Sequence, residues 1–334
     1  MGETLSTIGS RISGTGHYVP ARVVSNHELE SKVDTSDAWI VERTGIRERR
    51  IAAEGEVTSD MAAEAARRAL EAAEIDAKEI DLIIVATVTP DMPLPSTAAF
   101  VQTKIGARGD CPAFDLAAAC AGFCYALSIA DNFVRSGSAK HVLVIGVELL
   151  SRVVDWNDRG TCVLFGDGAG AVVVSPARGD GRGIVSTKIH ADGQHAMALR
   201  IPGGGSAEPA SVRSVEAKRH FVEMNGREVF KVAVRSLASA SNAADETAGL
   251  KPDDIDWVVP HQANLRILEA VSERIQIPIE RFFLNLERYG NTSSASIPIA
   301  LDEAVRSGVV RPGQNILICA LGGGIAWGSA VLRW

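Results

Sequence analysis

Four segments of this 334-residue chain recur in the same order about 160 to 175 residues further along. This internal repetition constrains the fold more than any other feature. Residues 74–81, with Ile75, Asp76, Ile80 and Asp81, lead into the apolar run Leu82, Ile83, Ile84, Val85. Residues 249–256, with Leu250, Asp253, Ile255 and Asp256, lead into Trp257, Val258, Val259. Asp131, Val134, Arg135, Ser136 and Gly137 return as Asp302, Val305, Arg306, Ser307 and Gly308. Each is followed by a β-branched run, Val142 to Ile145 in the first half and Ile316 to Ile318 in the second. Residues 170–173 finally resemble residues 329–332. Chance produces one such pair, hardly four in sequence.

Each half therefore reads as helix, short buried strand, helix, short buried strand, glycine turn, strand. Short apolar runs alternating with helical patterns predict mainly parallel strands with helices on both faces. The expected fold class is α/β, two pseudo-symmetric duplicated halves in a layered arrangement. The halves divide as residues 1–178 and 179–334, where Pro176, Gly179, Gly181 and Gly183 interrupt the pattern. Residues 202–214 read as a surface loop.

The composition narrows the function. A hydrophobic content of 46% with 22% charged residues is that of a globular chain. The net charge of −7 argues against a general nucleic-acid surface. No apolar run approaches the roughly 18 residues of a membrane span, and Met1 to Ser10 carry no secretory pattern; a cytoplasmic location is expected. The five cysteines (Cys111, Cys120, Cys124, Cys162, Cys319) fit neither a disulfide framework nor zinc spacing, so no metal is expected.

The duplication also directs attention to a site. Extending the Asp131/Asp302 alignment backwards sets Cys120 opposite Asn291, each at an expected helix start. Unpaired N–H groups and the positive helix end there favour a thiolate. His261 follows the strand ending at Val259, at the carboxyl edge where ligands collect in open α/β sheets. Its first-half counterpart is Ala86, so the site is asymmetric on a symmetric scaffold. Singly, each residue has a plain alternative: core packing for Cys120, a backbone hydrogen bond for His261, a helix cap for Asn291. Together they outline a nucleophile with two polar partners. Gly322, Gly323 and Gly324 offer backbone N–H groups for an oxyanion. Residues 166–170 lack dinucleotide-loop spacing and precede a strand, which excludes a Rossmann site.

The segments around Cys120 (residues 118–123), His261 (260–264), Asn291 (290–293) and Gly323 (322–324) together closely resemble the β-ketoacyl-acyl-carrier-protein synthase III family, initiating condensing enzymes of type II fatty acid synthesis with the thiolase fold. The resemblance runs from about Gly14 to Trp334 and includes Trp39, Arg43 and residues 158–161 and 165–170. It implies a ping-pong reaction: Cys120 takes an acyl group from acyl-CoA, and malonyl-acyl carrier protein loses CO2 and attacks it. It further implies His261 and Asn291 as decarboxylating partners and Cys120 and Gly323 as an oxyanion hole. Trp39, Arg43 and Arg159 would contact CoA, Lys231 and Arg266 the carrier protein, and Leu94 a partner subunit's acyl pocket in a homodimer. CoA thioester enters as substrate; no resident cofactor is implied. Two departures stand out: Glu273 and Arg274 lie where known members carry lysines, and Leu94 where acetyl-selective members can carry phenylalanine. A same-fold enzyme of secondary metabolism with a different acceptor is the alternative. Thiolase chemistry is disfavoured, because Cys319 precedes the glycine turn and reads as strand core.

Overall fold

The computed structural model describes residues 9–334; Met1 to Ile8, most of the stretch screened for a leader, lie outside the described residues. Strand β1 (Ser10–Tyr18) opens the chain. Next come β2 (Arg22–Ser25), helices α1 (Asn26–Glu30) and α2 (Asp37–Thr44), and β3 (Glu48–Ile51), a small unit on the rim of the site. The first repeat follows as α3 (Thr58–Ala73), β4 (Leu82–Ala86), α4 (Thr97–Ile105), β5 (Ala113–Leu116), α5 (Gly122–Arg135), β6 (Val142–Glu148), the single turn α6 (Arg159–Cys162) and β7 (Gly168–Pro176). Then β8 (Gly183–Ala191), β9 (Leu199–Arg200), α7 (Val212–Glu216) and β10 (Glu223–Met224) lead to the second repeat. That repeat comprises α8 (Gly226–Ala248), β11 (Trp257–Pro260), α9 (Leu265–Ile275), α10 (Leu286–Tyr289), α11 (Ser296–Arg306), β12 (Asn315–Gly322) and β13 (Ala326–Arg333).

Two main sheets form, ordered β1-β7-β6-β4-β5 and β11-β12-β13-β8. They correspond strand for strand; only β5 lacks a full partner, replaced by a single parallel bridge between Val258 and Phe282. The expectation of mainly parallel strands needs correction. β4 pairs in parallel with β5 and β6, and β11 with β12, but β1, β7, β8 and β13 all run antiparallel to their neighbours. The cause is the link from β6 to β7, and from β12 to β13, which returns without a crossover helix. Apolar runs signal burial on both faces and do not encode direction.

One apolar core lies between the sheets and takes residues from both halves: Phe123 and Leu127 of α5, Ile297 and Leu301 of α11, Ile84 of β4 and Ile318 of β12. α3 and α4 cover the outer face of the first sheet, and α8 and α9 that of the second. The layers therefore run helix, sheet, helix, sheet, helix, and the two halves share their central layer. Small residues permit the close approaches. A Cβ on Gly170 would lie 2.6 Å from the Ile299 nitrogen, so this glycine is needed where β7 meets α11 and not for a nucleotide. No helix among the described residues is long and apolar enough to cross a membrane.

The symmetry extends to pairs of a buried aspartate with a partly exposed arginine. Asp131 and Asp302 each accept an arginine one turn on, Arg135 at 2.7 Å and Arg306 at 2.8 Å. Each also accepts a hydroxyl of β1, from Ser10 and Thr15 respectively. These pairs explain why the Asp–Arg echo was so visible in sequence.

Candidate active site

The helix carrying the echo is shorter in the second half. α5 has 14 residues and α11 has 11, a difference of three, close to one turn. Each is entered through a 3-10 turn whose first residue is left-handed, Ala119 at φ 46° and Ser293 at φ 50°. By this local geometry Cys120 corresponds to Ser294, and Asn291 lies three residues earlier. The sequence alignment, anchored at the helix ends, placed Cys120 opposite Asn291 because it could not see the missing turn.

Cys120 is buried at the mouth of α5. The glycine turn packs directly on its backbone: a Cβ on Gly322 would lie 2.4 Å from the Cys120 nitrogen. Gly323 lines the same cavity as Cys120, as the oxyanion-hole expectation requires. The thiolate expectation is not met: burial pushes the thiol up to about 12. A helix end offsets at most about 2 kcal/mol, less than the roughly 4 kcal/mol that this rise represents. The resting nucleophile is a neutral thiol, and its proton must leave during attack.

His261 is set at the end of β11, where its N–H donates to the Cys319 carbonyl at 2.8 Å. The following residues lock the loop. Gln262 donates to the carbonyls of Pro260 and Phe283, and Asn264 caps α9 while donating to the Arg43 carbonyl at 3.0 Å. Burial pulls the imidazole down to about 3, so it is neutral at physiological pH. Its Nδ1 lies 2.8 Å from the Ser296 hydroxyl, which is also 2.8 Å from the Ser293 carbonyl. That hydroxyl has a single proton: given to the Ser293 carbonyl it leaves Nδ1 to carry the ring hydrogen, and turned to Nδ1 it sets the ring hydrogen on Nε2. Asn291 is held by backbone bonds to Leu164 and Gly166. Its Oδ1 accepts the Ser293 N–H at 2.8 Å, which commits the oxygen and leaves the NH2 group to donate.

Buried neutral His261 makes the fold acid-sensitive. Its folded value of about 3 lies below the unfolded value of about 6.5. Below pH 6.5 the unfolded chain therefore binds a proton that the native chain refuses, and stability falls as pH falls. From pH 7 to pH 5 the expected loss through this residue is about 2 kcal/mol. Guanidinium midpoints for wild type and His261→Gln at both pH values measure it; an equal decrease in both proteins would assign the loss elsewhere.

Cys120, His261 and Asn291 line one cavity with Phe165, Leu199, Phe230 and Leu321. Through Cys120, Phe165 and Leu199 it adjoins an apolar pocket of about 310 Å³ between Val88, Leu150, Ile201 and Val222. Outward it opens into a basin of about 600 Å³ bordered by Trp39, Arg43, Arg227, Phe230 and Arg266. The sequence analysis missed Arg227 and Phe230; they share helix α8 with Lys231, but only the fold shows which face meets the basin. Arg159 lies over the Trp39 ring at 4.8 Å and Arg43 over it at 5.3 Å, so these three are together. Lys231, next to Phe230 on α8, is exposed but does not line the basin, and Glu273 and Arg274 are exposed about two turns along α9 from Arg266. Leu94 is 84% exposed and lines none of the chain's own tunnel. All five cysteines are buried, and Cys319 lies in the core of β12.

Comparison with known proteins follows the same outline. Residues 114–193 match the family 3-oxoacyl-[acyl-carrier-protein (ACP)] synthase III, and residues 246–334 match its C-terminal part. A β-ketoacyl-[acyl-carrier-protein] synthase III of Paramagnetospirillum magneticum is 54% identical over 330 residues, spanning 98% of this chain and 99% of the relative. One of Thiobacillus denitrificans is 53% identical over 328 residues, spanning 97% and 99%. Among solved structures, 3-oxoacyl-[acyl-carrier-protein] synthase III from Aquifex aeolicus VF5 is 50% identical with a TM-score of 0.90, covering 98% of this chain and 100% of that one.

Proposed function

The chain belongs to the β-ketoacyl-acyl-carrier-protein synthase III family, and on that premise we propose that one tunnel delivers first an acyl-CoA and then malonyl-acyl carrier protein to Cys120. The protein is an acyl-transferring condensing enzyme with the thiolase-like fold, and it performs the initiating condensation of fatty acid synthesis. The observation that carries the residue assignment is the single cavity shared by Cys120, His261 and Asn291.

In the first half-reaction the Cys120 sulfur attacks the thioester carbonyl. The carbonyl π pair moves onto oxygen, which the N–H groups of Cys120 and Gly323 receive; as the adduct collapses the bond to CoA sulfur breaks and the departing sulfur takes up the proton that the Cys120 thiol gives up. In the second, the malonyl thioester loses CO2 and leaves its bonding pair as an enolate. His261, through Nε2–H, and Asn291, through its NH2, donate to that enolate oxygen. The enolate carbon then bonds to the acyl carbon, the Cys120 thiolate leaves and takes one proton from solvent to restore the resting thiol, and a β-ketoacyl-carrier product departs.

Trp39 and Arg159 are proposed to hold the CoA adenine, with Arg43 on its nucleotide part. The guanidinium that now covers Trp39 occupies the stacking face, so a base would enter by displacing it. Arg266 and Lys231 give an acidic carrier protein a local basic approach on a chain of net charge −7. The reaction uses CoA thioester as substrate without a resident cofactor, in the cytoplasm, and the enzyme acts as a homodimer in which the exposed Leu94 loop reaches the partner's acyl pocket. The alternative acceptor of secondary metabolism has no specific observation in its favour.

The test is a mass-spectrometric product assay with acetyl-, butyryl-, isobutyryl- and hexanoyl-CoA and malonyl-acyl carrier protein. With leucine at position 94, butyryl- and isobutyryl-CoA are expected within about tenfold of acetyl-CoA, whereas a pocket that excluded them would cost about 1–3 kcal/mol for each added methylene. Leu94→Phe should narrow the range toward acetyl. A wild-type rate that drops steeply from acetyl to butyryl would refute the pocket reading.

A further inference from the structure

Strand β6 ends against the turn that follows Asn291. A Cβ on Gly146 would lie 2.2 Å from the Ser294 carbonyl oxygen, so strand and turn touch backbone to backbone. Residues two apart on a strand share a face, and Glu148 therefore points from β6 at the same turn. It is fully buried and has no part in the chemistry above. No arginine, lysine or histidine pairs with it among the described residues. Its partners are neutral. Oε2 accepts the Val88 N–H at 3.1 Å, the Thr89 hydroxyl at 2.7 Å and the Thr87 hydroxyl at 3.2 Å, all from the loop after β4. Oε1 accepts the Ser293 hydroxyl at 3.1 Å and lies 3.1 Å from the Ser294 hydroxyl.

The geometry points to Glu148 as a positioning residue: as a neutral acid it ties the loop after β4 to the Ser293 turn, and so holds Asn291 and His261 where they meet the enolate. This rests on those two residues being the enolate donors. Ser293 is the branch point of the tie. Its N–H donates to Asn291 Oδ1 at 2.8 Å, which orients the amide. Its carbonyl lies 2.8 Å from the Ser296 hydroxyl, itself 2.8 Å from His261 Nδ1. The Ser293 backbone is left-handed at φ 50°, a conformation uncommon for a residue with a side chain. Such a turn persists where its surroundings over-determine it, and the hydrogen bond of the Ser293 side chain goes to Glu148.

The neutral form follows from the surroundings. A carboxylate here would be a buried charge without a counter-ion, which is strongly unfavourable, and burial accordingly raises the carboxyl above its ordinary range. The hydrogen bonds also close with one proton on Oε1. Ser294 gives its own proton to the Ala86 carbonyl at 2.8 Å, so its oxygen is free to accept the carboxyl proton. Ser293 donates to Oε1, and Oε2 serves the three donors of the loop. Glutamine offers the same pattern, with NH2 in place of the O–H and its carbonyl in place of Oε2. Alanine would leave the Val88 N–H and the Ser293 hydroxyl without this partner.

The test follows CO2 release from malonyl-acyl carrier protein beside the burst of CoA from acetyl-CoA, in Glu148→Ala, Ser293→Ala and Glu148→Gln. Glu148→Ala is expected to slow decarboxylation about 30-fold, because a small misplacement of reacting groups costs up to about 100-fold, and to keep the burst within about fivefold. Ser293→Ala cuts the link to the turn and leaves the loop tied; it should slow decarboxylation about tenfold and spare the burst. Glu148→Gln, the conservative variant, should rescue both rates to within about threefold of wild type. A loss in Glu148→Gln as deep as in Glu148→Ala would show that a charge is required and overturn the neutral tie. Equal losses in the two half-reactions, or full decarboxylation in both alanine variants, would overturn the positioning role. If Glu148→Ala does not fold, Ser293→Ala and Glu148→Gln decide the same question. His261→Ala run in parallel separates the failures. Decarboxylation that survives there defeats the donor assignment itself, whereas decarboxylation lost there and intact in both alanine variants defeats the positioning alone.

Discussion

The Cys120→Ala enzyme is expected to release no burst of CoA from acyl-CoA and to form no β-ketoacyl product, a loss of at least about 10⁴-fold in condensation. It should nevertheless continue to decarboxylate malonyl-acyl carrier protein. The separation follows from the layout of the cavity. The substituted sulfur stands at the mouth of α5, while the groups that receive the enolate come from the end of β11 and the turn before α11. Removing one sulfur atom from a buried position leaves the Ala119 turn and the Gly322 contact with the Cys120 backbone unchanged, so the variant should fold. The measurements are thioester loss from acyl-CoA, mass of the labelled protein, and CO2 release. Acylation persisting on another side chain would remove Cys120 from the mechanism. Loss of CO2 release along with acylation would mean that the two half-reactions do not occupy separate parts of the cavity.

How far the sequence leads depends on what kind of fact is asked of it. The duplication was legible because Asp–Arg pairs with a buried aspartate and β-branched strands are fixed by packing on both copies of the fold, so their residue types repeat. Strand direction was not legible, because Val172 or Val331 is equally apolar whichever way its strand runs. Helix length was lost for a similar reason: the echo marks where α5 and α11 end, and nothing in it records the missing turn at the start of α11. His261 stood out as a histidine directly after a strand. Glu148 stood out not at all, being an acidic residue at the end of an apolar run that reads as solvent-facing; only the fold closes hydroxyls of Thr87, Thr89 and Ser293 over it. The thiolate expectation failed on magnitude, since the sequence shows the helix start and hides the burial that outweighs it.

Replacing His261 by alanine or Asn291 by aspartate is expected to give the opposite pattern from Cys120→Ala. CoA release and acyl-enzyme formation should stay within about tenfold of wild type, while decarboxylation and condensation fall by about 10²- to 10³-fold for each donor removed. Aspartate at position 291 is the sharper probe. It keeps an oxygen to accept the Ser293 N–H, so the turn stays tied, but it sets an anion where the enolate oxygen needs a donor. The pH profile adds a second constraint. An ordinary histidine gains its charge near pH 6.5, whereas burial keeps His261 neutral down to about 3. Condensation from the preformed acyl-enzyme should therefore show no acid limb near pH 6.5, and Ser296→Ala, which removes the hydroxyl bound to Nδ1, should slow this half-reaction and spare acylation. A condensation rate that falls as pH rises through 6.5 in wild type and not in His261→Ala would show that the imidazolium is the active form, and the neutral donor assigned to His261 would have to be abandoned.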